Sequence, residues 1–308
     1  AMEFEVRRNL MAFYRQRMKG ADIVLFGGGQ LLADVNLNFP LKVAGAAAIA
    51  HETGASLGLY GVGVGRVWSY EGAQLFKEAF DGFDMFWSSV RHALSLRRWE
   101  KHFANSPVSR PSLCFDAGIL AAKTFGVQQE EDRKNSNRRL IGLCVTHPAA
   151  LRLDANEDHE IGEREMESLF RDTARELSER GFDVLAFTNG APEDDAFLRR
   201  CFDDATLAHM PADSVEVAAR PQTPRDLVRT ICKCDGVIGH RLHALIVAYA
   251  YRVPHVGLEL NRKIEGFMQM TNRPDYLIRA GQFAPQLIVE RMQRALDEKI
   301  DERAYAAL

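Results

Sequence analysis

Between residues 232 and 267 the chain reads CKCDGVIGHRLHALIVAYAYRVPHVGLELNRKIEGF, with His240, Arg241, Leu242 and His243 consecutive and Lys263 following later. These residue types suit one kind of chemistry. Arginine presents a fixed fork of donors that matches phosphate or carboxylate. Histidine holds or releases a proton near neutral pH. Lysine adds a second cation. Together they describe a phosphate-sized hole with a proton donor beside it.

The flanking sequence says how such a hole would be built. Residues 236–238 and 255–260 are short apolar runs that read as strands, and residues 244–251, small and apolar without Gly or Pro, read as a buried helix. That is a strand–helix–strand unit of a parallel sheet. Its first helical turn carries N–H groups with no helical partner and the positive end of the helix dipole, so it attracts anions. The turn also lies at the carboxyl end of a strand, where open parallel sheets take their ligands. Lys263 is expected on a loop after the second strand, within reach of the same place. Plainer readings stand beside these: Arg241 capping a neighbouring carbonyl, His243 satisfied in the core, His240 a bystander, Lys263 a solvated surface lysine.

The runs G-H-R-L-H-A-L-I-V-A, V-P-H-V-G-L and N-R-K-I-E-G-F, in that order, resemble the C-terminal signature of the polysaccharide pyruvyl transferases. The resemblance extends more weakly to residues 22–32, 58–65 and 90–95 and to the whole second half, so it covers most of the chain. It implies transfer of a pyruvyl group from phosphoenolpyruvate to a sugar of a polysaccharide or its precursor, closing a pyruvate ketal. It implies Arg241 and His243 as catalytic groups, with His240, Arg241, Leu242, His243 and Lys263 around phosphoenolpyruvate. It further implies two Rossmann-like doubly wound domains facing a cleft, a GT-B-like architecture. Two departures are visible. Family members carry an early asparagine–glycine–aspartate loop that is not found here, and the family's V-R-D-x-x-S or V-R-E-x-x-S appears as Val90-Arg91-His92-Ala93-Leu94-Ser95, with histidine in place of the acid. A glycosyltransferase using a nucleotide-sugar on the same fold, or a non-catalytic sugar- or nucleotide-binding module, would use the same helix start.

The chain has 308 residues, 46% hydrophobic and 26% charged, with a net charge of −3, which is globular composition with room for two domains. That balance favours neither nucleic acid nor an anionic membrane surface, so any anion site must be local. The expected partners are phosphoenolpyruvate as co-substrate and a sugar acceptor, nucleotide-linked, lipid-linked or an oligosaccharide. Membrane contact would come only through a lipid-linked acceptor. Five cysteines, Cys114, Cys144, Cys201, Cys232 and Cys234, lie mostly in apolar runs and read as reduced core thiols of a cytoplasmic protein. No ligand cluster with zinc spacing occurs, so no metal and no cofactor are expected.

In chain order, helices are expected at 3–19, 40–51, 71–80, 93–103, 163–180, 194–201, 224–233 and 284–296. Strands are expected at 21–26, 56–62, 85–90, 113–115, 140–145, 182–187 and 215–218. The polar run 128–139 reads as the linker, which gives an N-terminal domain 1–135 on the acceptor side, a C-terminal domain 136–280 on the phosphoenolpyruvate side, and a final helical segment 281–308. Several residues at expected strand ends are candidates for the acceptor: Gly28, Gly29, Asp34, Gly63, Arg91, His92, His147 and Asn189. The bland alternatives are tight turns for the glycines, a structural ion pair for Arg91 and plain loop positions for the rest. No dinucleotide fingerprint accompanies the glycines.

Overall fold

A computed structural model describes residues 2–81, 85–128, 138–149, 161–211, 213–259 and 262–306. The chain divides into two compact units, Ala1–Ala117 and Gly118–Leu308. This division falls before the polar run at 128–139, most of which lies outside the described residues. It does so because the short helix α5 (Ala121–Phe125) packs on helices of the second unit.

The first unit begins with α1 (Met2–Arg17) and then alternates β1 (Ile23–Gly27), α2 (Asn38–Thr53), β2 (Ser56–Val62), α3 (Tyr70–Phe80), β3 (Trp87–Val90), α4 (Ala93–His102) and β4 (Ser112–Leu113). All pairings are parallel and the strands lie in unbroken order β1-β2-β3-β4. Alanines make α2 thin: Ala46, Ala47 and Ala50 are buried, and Gly54 in a left-handed conformation ends the helix. Leu57, Leu59, Val62 and Val90 fill one face of the sheet together with Phe76, Phe80 and Trp99 from the helices.

The second unit holds β5 (Leu140–Cys144), α6 (Glu163–Glu179), β6 (Asp183–Phe187), α7 (Pro192–Cys201), α8 (Asp204–Leu207), β7 (Val215–Val217), α9 (Pro224–Cys232), β8 (Gly236–Gly239), α10 (Leu242–Ala250), β9 (His255–Glu259), α11 (Arg262–Met270), β10 (Leu277–Arg279), α12 (Pro285–Glu298) and α13 (Glu302–Ala306). Its six strands are parallel in the order β10-β9-β8-β5-β6-β7. The chain therefore winds outward from β5 to β7, returns to the other side of β5, and winds outward again. This is a doubly wound sheet whose winding reverses between β5 and β8. β5, β8 and β9 are buried along their whole length, as their unbroken apolar runs require for central parallel strands. Helix α12 packs within this unit: Ile288, Val289 and Met292 are buried in its core, and the helix lies on β8 and β9.

Candidate active site

The register of the second sheet decides what meets at its carboxyl edge. Cys144 pairs with Phe187 on one side and with Gly239 on the other, so Thr146-His147, Thr188-Asn189 and His240-Arg241 leave adjacent strand ends. Close approach at β8 demands glycine, because a Cβ on Gly239 would stand 2.7 Å from the Cβ of Cys144. Arg241 is the N-cap residue of α10, with extended backbone (φ −86°, ψ 113°), and Leu242 and His243 form the first turn. The N–H groups of that turn fall among those no helical carbonyl can reach.

Arg241 is fixed by a residue the sequence reading did not single out. Asp194 sits in the first turn of α7, and its carboxylate is fully buried. Nε of Arg241 donates to Asp194 Oδ2 at 2.9 Å, Nη2 donates to the same oxygen, and the backbone N–H of His147 donates to Oδ1 at 2.9 Å. One carboxylate thus ties together the segments that follow β5, β6 and β8, across the place where the winding reverses. Burial pushes the Asp194 pKa up, and Arg241 is the main influence holding it down. The Arg241 side chain keeps 24% exposure, so the guanidinium is held from behind and faces outward at one edge.

His243 is exposed on the first turn of α10. Lys263 lies not on a loop but in the first turn of α11, half-buried. β8 and β9 are neighbours with Gly239 paired to Gly257, so α10 and α11 both start at this same edge. The helix at Arg262–Met270 is hidden in the sequence by Gly266, although Ile264, Phe267 and Met268 bury one side of it.

His240 is a core residue rather than a ligand-binding one. It is 2% exposed, Nδ1 lies 2.8 Å from the Leu258 carbonyl oxygen, and the ring stands edge-on to Phe170 and Phe283. Burial pushes its pKa down to about 4, and burial likewise pushes that of the fully buried His255 down to about 3. Both rings stay neutral in the folded protein while the unfolded chain protonates near the ordinary histidine value. Stability is therefore full above about pH 6.5, and it falls as pH drops towards the folded values. Unfolding at pH 5 should take up about two protons from this pair. Calorimetry in buffers of different ionisation enthalpy measures that uptake, and His240→Asn should remove about one of the two.

Among the acceptor candidates, the remaining two of the second unit lie at the same edge. His147 sets Nε2 3.3 Å from Glu163 Oε1, with its Nδ1 accepting from the N–H of Ala149. Asn189 is half-buried and accepts from Cys144 Sγ at 3.7 Å.

In the first unit, four acceptor candidates have structural roles. Asp34 accepts from the N–H and hydroxyl of Ser69 and from the N–H of Leu37, which joins its loop to the start of α3 and uses its carboxylate internally. Arg91 has a 4% exposed side chain, which donates to Asp116 at 3.2 Å and to Gln30 at 3.1 Å. Gly63 gives Arg91 its seat, since a Cβ there would lie 3.1 Å from Nη2. His92 is the N-cap of α4: its Nδ1 accepts from the N–H of Ser95 at 3.0 Å. Histidine here does the capping work that an acid at this place would do. His92→Ala should cost about 1 kcal/mol in urea unfolding, and His92→Asp a few tenths at most. Gly28 and Gly29 both have positive φ, 69° and 63°, and a Cβ on either would meet nothing within 4 Å, so they are turn residues beside open space. Trp68 stacks on His102 at 3.8 Å inside the core.

Among the described residues, no group of three or more His, Cys, Asp or Glu could hold a metal ion, and no helix is long and apolar enough to cross a membrane.

The fold is GT-B-like, with two parallel α/β sheets of four and six strands. The α,α-trehalose-phosphate synthase (UDP-forming) of Burkholderia xenovorans, in complex with glucose-6-phosphate, is similar at a TM-score of 0.61 and 12% identity, over 99% of this chain and 74% of that one. S. aureus MnaA, in a co-structure with UDP, is similar at 0.56 and 15%, over 98% and 74%. The UDP-GlcNAc 2-epimerase of Neisseria meningitidis, bound to UDP-GlcNAc, is similar at 0.54 and 13%, over 98% and 77%. No curated protein matches the chain in sequence. The sequence profile described as "Polysaccharide pyruvyl transferase" matches residues 4–262, which takes in both sheets up to the start of α11, and the chain belongs to that family.

Proposed function

We propose that the chain transfers the pyruvyl group of phosphoenolpyruvate to a pair of hydroxyls on a sugar, forming a cyclic ketal and releasing phosphate. The observation that carries this reading is Arg241, an arginine held by a buried carboxylate at the start of a helix where the winding of the sheet reverses. A small phosphorylated acid has two anionic ends. Arg241 and the first turn of α10 suit one, and Lys263 at the start of α11 suits the other. These are positioned charges that need no rearrangement when the substrate's own charge shifts.

His243 is the general acid. It protonates the methylene carbon of phosphoenolpyruvate, which leaves a cation-like C2 bonded to carboxylate and phosphate oxygen. One sugar hydroxyl adds to C2 and loses its proton. The neighbouring hydroxyl then forms the second C–O bond as the C–O bond to phosphate breaks, and its proton leaves with the departing phosphate. Exposure of His243 lets it regain a proton from solvent between turnovers. Electrostatics decide why Asp194 belongs in the scheme: it fixes the guanidinium plane, so the arginine does not have to be ordered by the substrate.

Incubation with phosphoenolpyruvate and a panel of oligosaccharide, nucleotide-linked and lipid-linked acceptors tests the reaction. Phosphate should appear one-for-one with pyruvylated sugar, and only when an acceptor is present. Glycosyl transfer from a UDP-sugar with no phosphate release would replace this reading by the nucleotide-sugar one.

A further inference from the structure

The carboxyl edge of the second sheet carries a further arginine that the transfer reaction leaves unused. Arg220 follows β7 and is half-buried. Ala186 pairs with Val217, Cys144 with Phe187, and Cys144 with Gly239. Continued past Val217, that register sets Arg220 level with Asn189, Thr146 and Arg241. Nε of Arg220 donates to the Gly190 carbonyl oxygen at 2.8 Å. Gly190 has a φ of 99°, and a Cβ on it would stand 2.8 Å from the Pro221 carbonyl oxygen, so the loops after β6 and β7 touch where this bond forms. Nη1 and Nη2 of Arg220 make no hydrogen bond or ion pair among the described residues, and they reach solvent. The guanidinium is therefore held by its inner edge with its outer fork free.

Most carboxylates of the neighbouring helix starts are engaged elsewhere. Asp194 serves Arg241, Asp195 pairs with Arg199 at 3.2 Å, and Asp226 accepts from the N–H groups of Gln222 and Thr223. Glu193 is exposed in the first turn of α7 and forms no ion pair with Arg220. Three strand intervals separate β8 from β7, about 14 Å at the usual spacing of neighbouring strands. A three-carbon acid held by Arg241 and α10 does not extend that far, so Arg220 suits a different anion. The strand ends between the two arginines offer His147 and Asn189, both half-buried, with groups of the kind that bond sugar hydroxyls.

On the basis of the transfer reaction above, we propose that Arg220 grips a phosphate group bonded to the acceptor sugar, so that the chain pyruvylates a phosphate-linked sugar in place of a neutral glycan. A free guanidinium fork matches phosphate in a bidentate pair. Nucleoside diphosphate sugars and lipid diphosphate sugars share that chemistry. Either would bind alongside phosphoenolpyruvate without displacing it.

The test compares three forms of each of glucose, galactose, mannose and N-acetylglucosamine: the methyl glycoside, a nucleoside diphosphate sugar and a farnesyl diphosphate-linked sugar. Each is titrated calorimetrically into the full chain with phosphoenolpyruvate present. At least one diphosphate form should bind about 10- to 100-fold more tightly than its methyl glycoside. Arg220→Gln should erase that difference and Arg220→Lys should restore part of it, with the affinity for phosphoenolpyruvate unchanged in both. Either carrier satisfies the proposal, and the tighter one names the source. The acceptor class is overturned if no diphosphate form binds better than its methyl glycoside, or if the preference survives Arg220→Gln. Absence of phosphoenolpyruvate binding to the wild-type chain would instead overturn the transfer reaction, and this assignment with it.

Discussion

Arg241→Ala should remove turnover and much of the stability together. The side chain stabilises the fold because Asp194 behind it is fully buried and accepts two of its donors. Stripping the cation from a buried carboxylate costs about 3–5 kcal/mol, which urea unfolding would show as a large fall in midpoint. Under the proposed function the same change also deletes a donor to the substrate, and phosphate release per enzyme should then fall about 10²- to 10³-fold. The two losses are separable. The double variant Asp194→Asn, Arg241→Met removes both charges, so it should regain most of the stability and none of the activity. If the double variant regains activity as well, Arg241 has only a structural role.

His243→Ala should have the opposite profile. The residue is exposed on the first helical turn, so its loss should destabilise far less than that of Arg241. In the proposed role of general acid, its loss should lower kcat about 10²- to 10⁴-fold, with little change in the affinity for phosphoenolpyruvate. His243→Gln, which restores hydrogen bonding but not proton transfer, should be no better. Wild-type kcat in either variant would move the proton donor elsewhere.

The parts of this protein legible in its sequence are those set by periodicity and punctuation. β2 was delimited by its apolar run, α2 by its alanines and Gly54, and the unit around β8, α10 and β9 by two apolar runs with a small-residue helix between them. The helix start that carries Arg241 and His243 was legible too, as the turn between a buried strand and a small-residue helix. Long-range partners were not. Asp194 stands 47 residues from Arg241 in an acidic first turn that looks solvated. Nothing local distinguishes it from Glu193 or Asp195, and only the strand order brings it to Arg241. Burial of His240 was equally illegible: its neighbours Phe170 and Phe283 come from distant segments. Asp34 and His92 misled for a simpler reason. Short polar side chains after a strand serve turns and helix caps as readily as ligands, and here both do so.

Whether the helix start at Arg241 is built for a phosphorylated three-carbon acid or for a nucleotide diphosphate can be decided without knowing the acceptor. Calorimetric titration of the wild-type chain with phosphoenolpyruvate, and separately with UDP and a UDP-sugar, compares them directly. Saturable heat is expected from phosphoenolpyruvate, with its loss in Arg241→Gln and no competition by UDP. Tight binding of UDP at that arginine, with phosphoenolpyruvate silent, would contradict it.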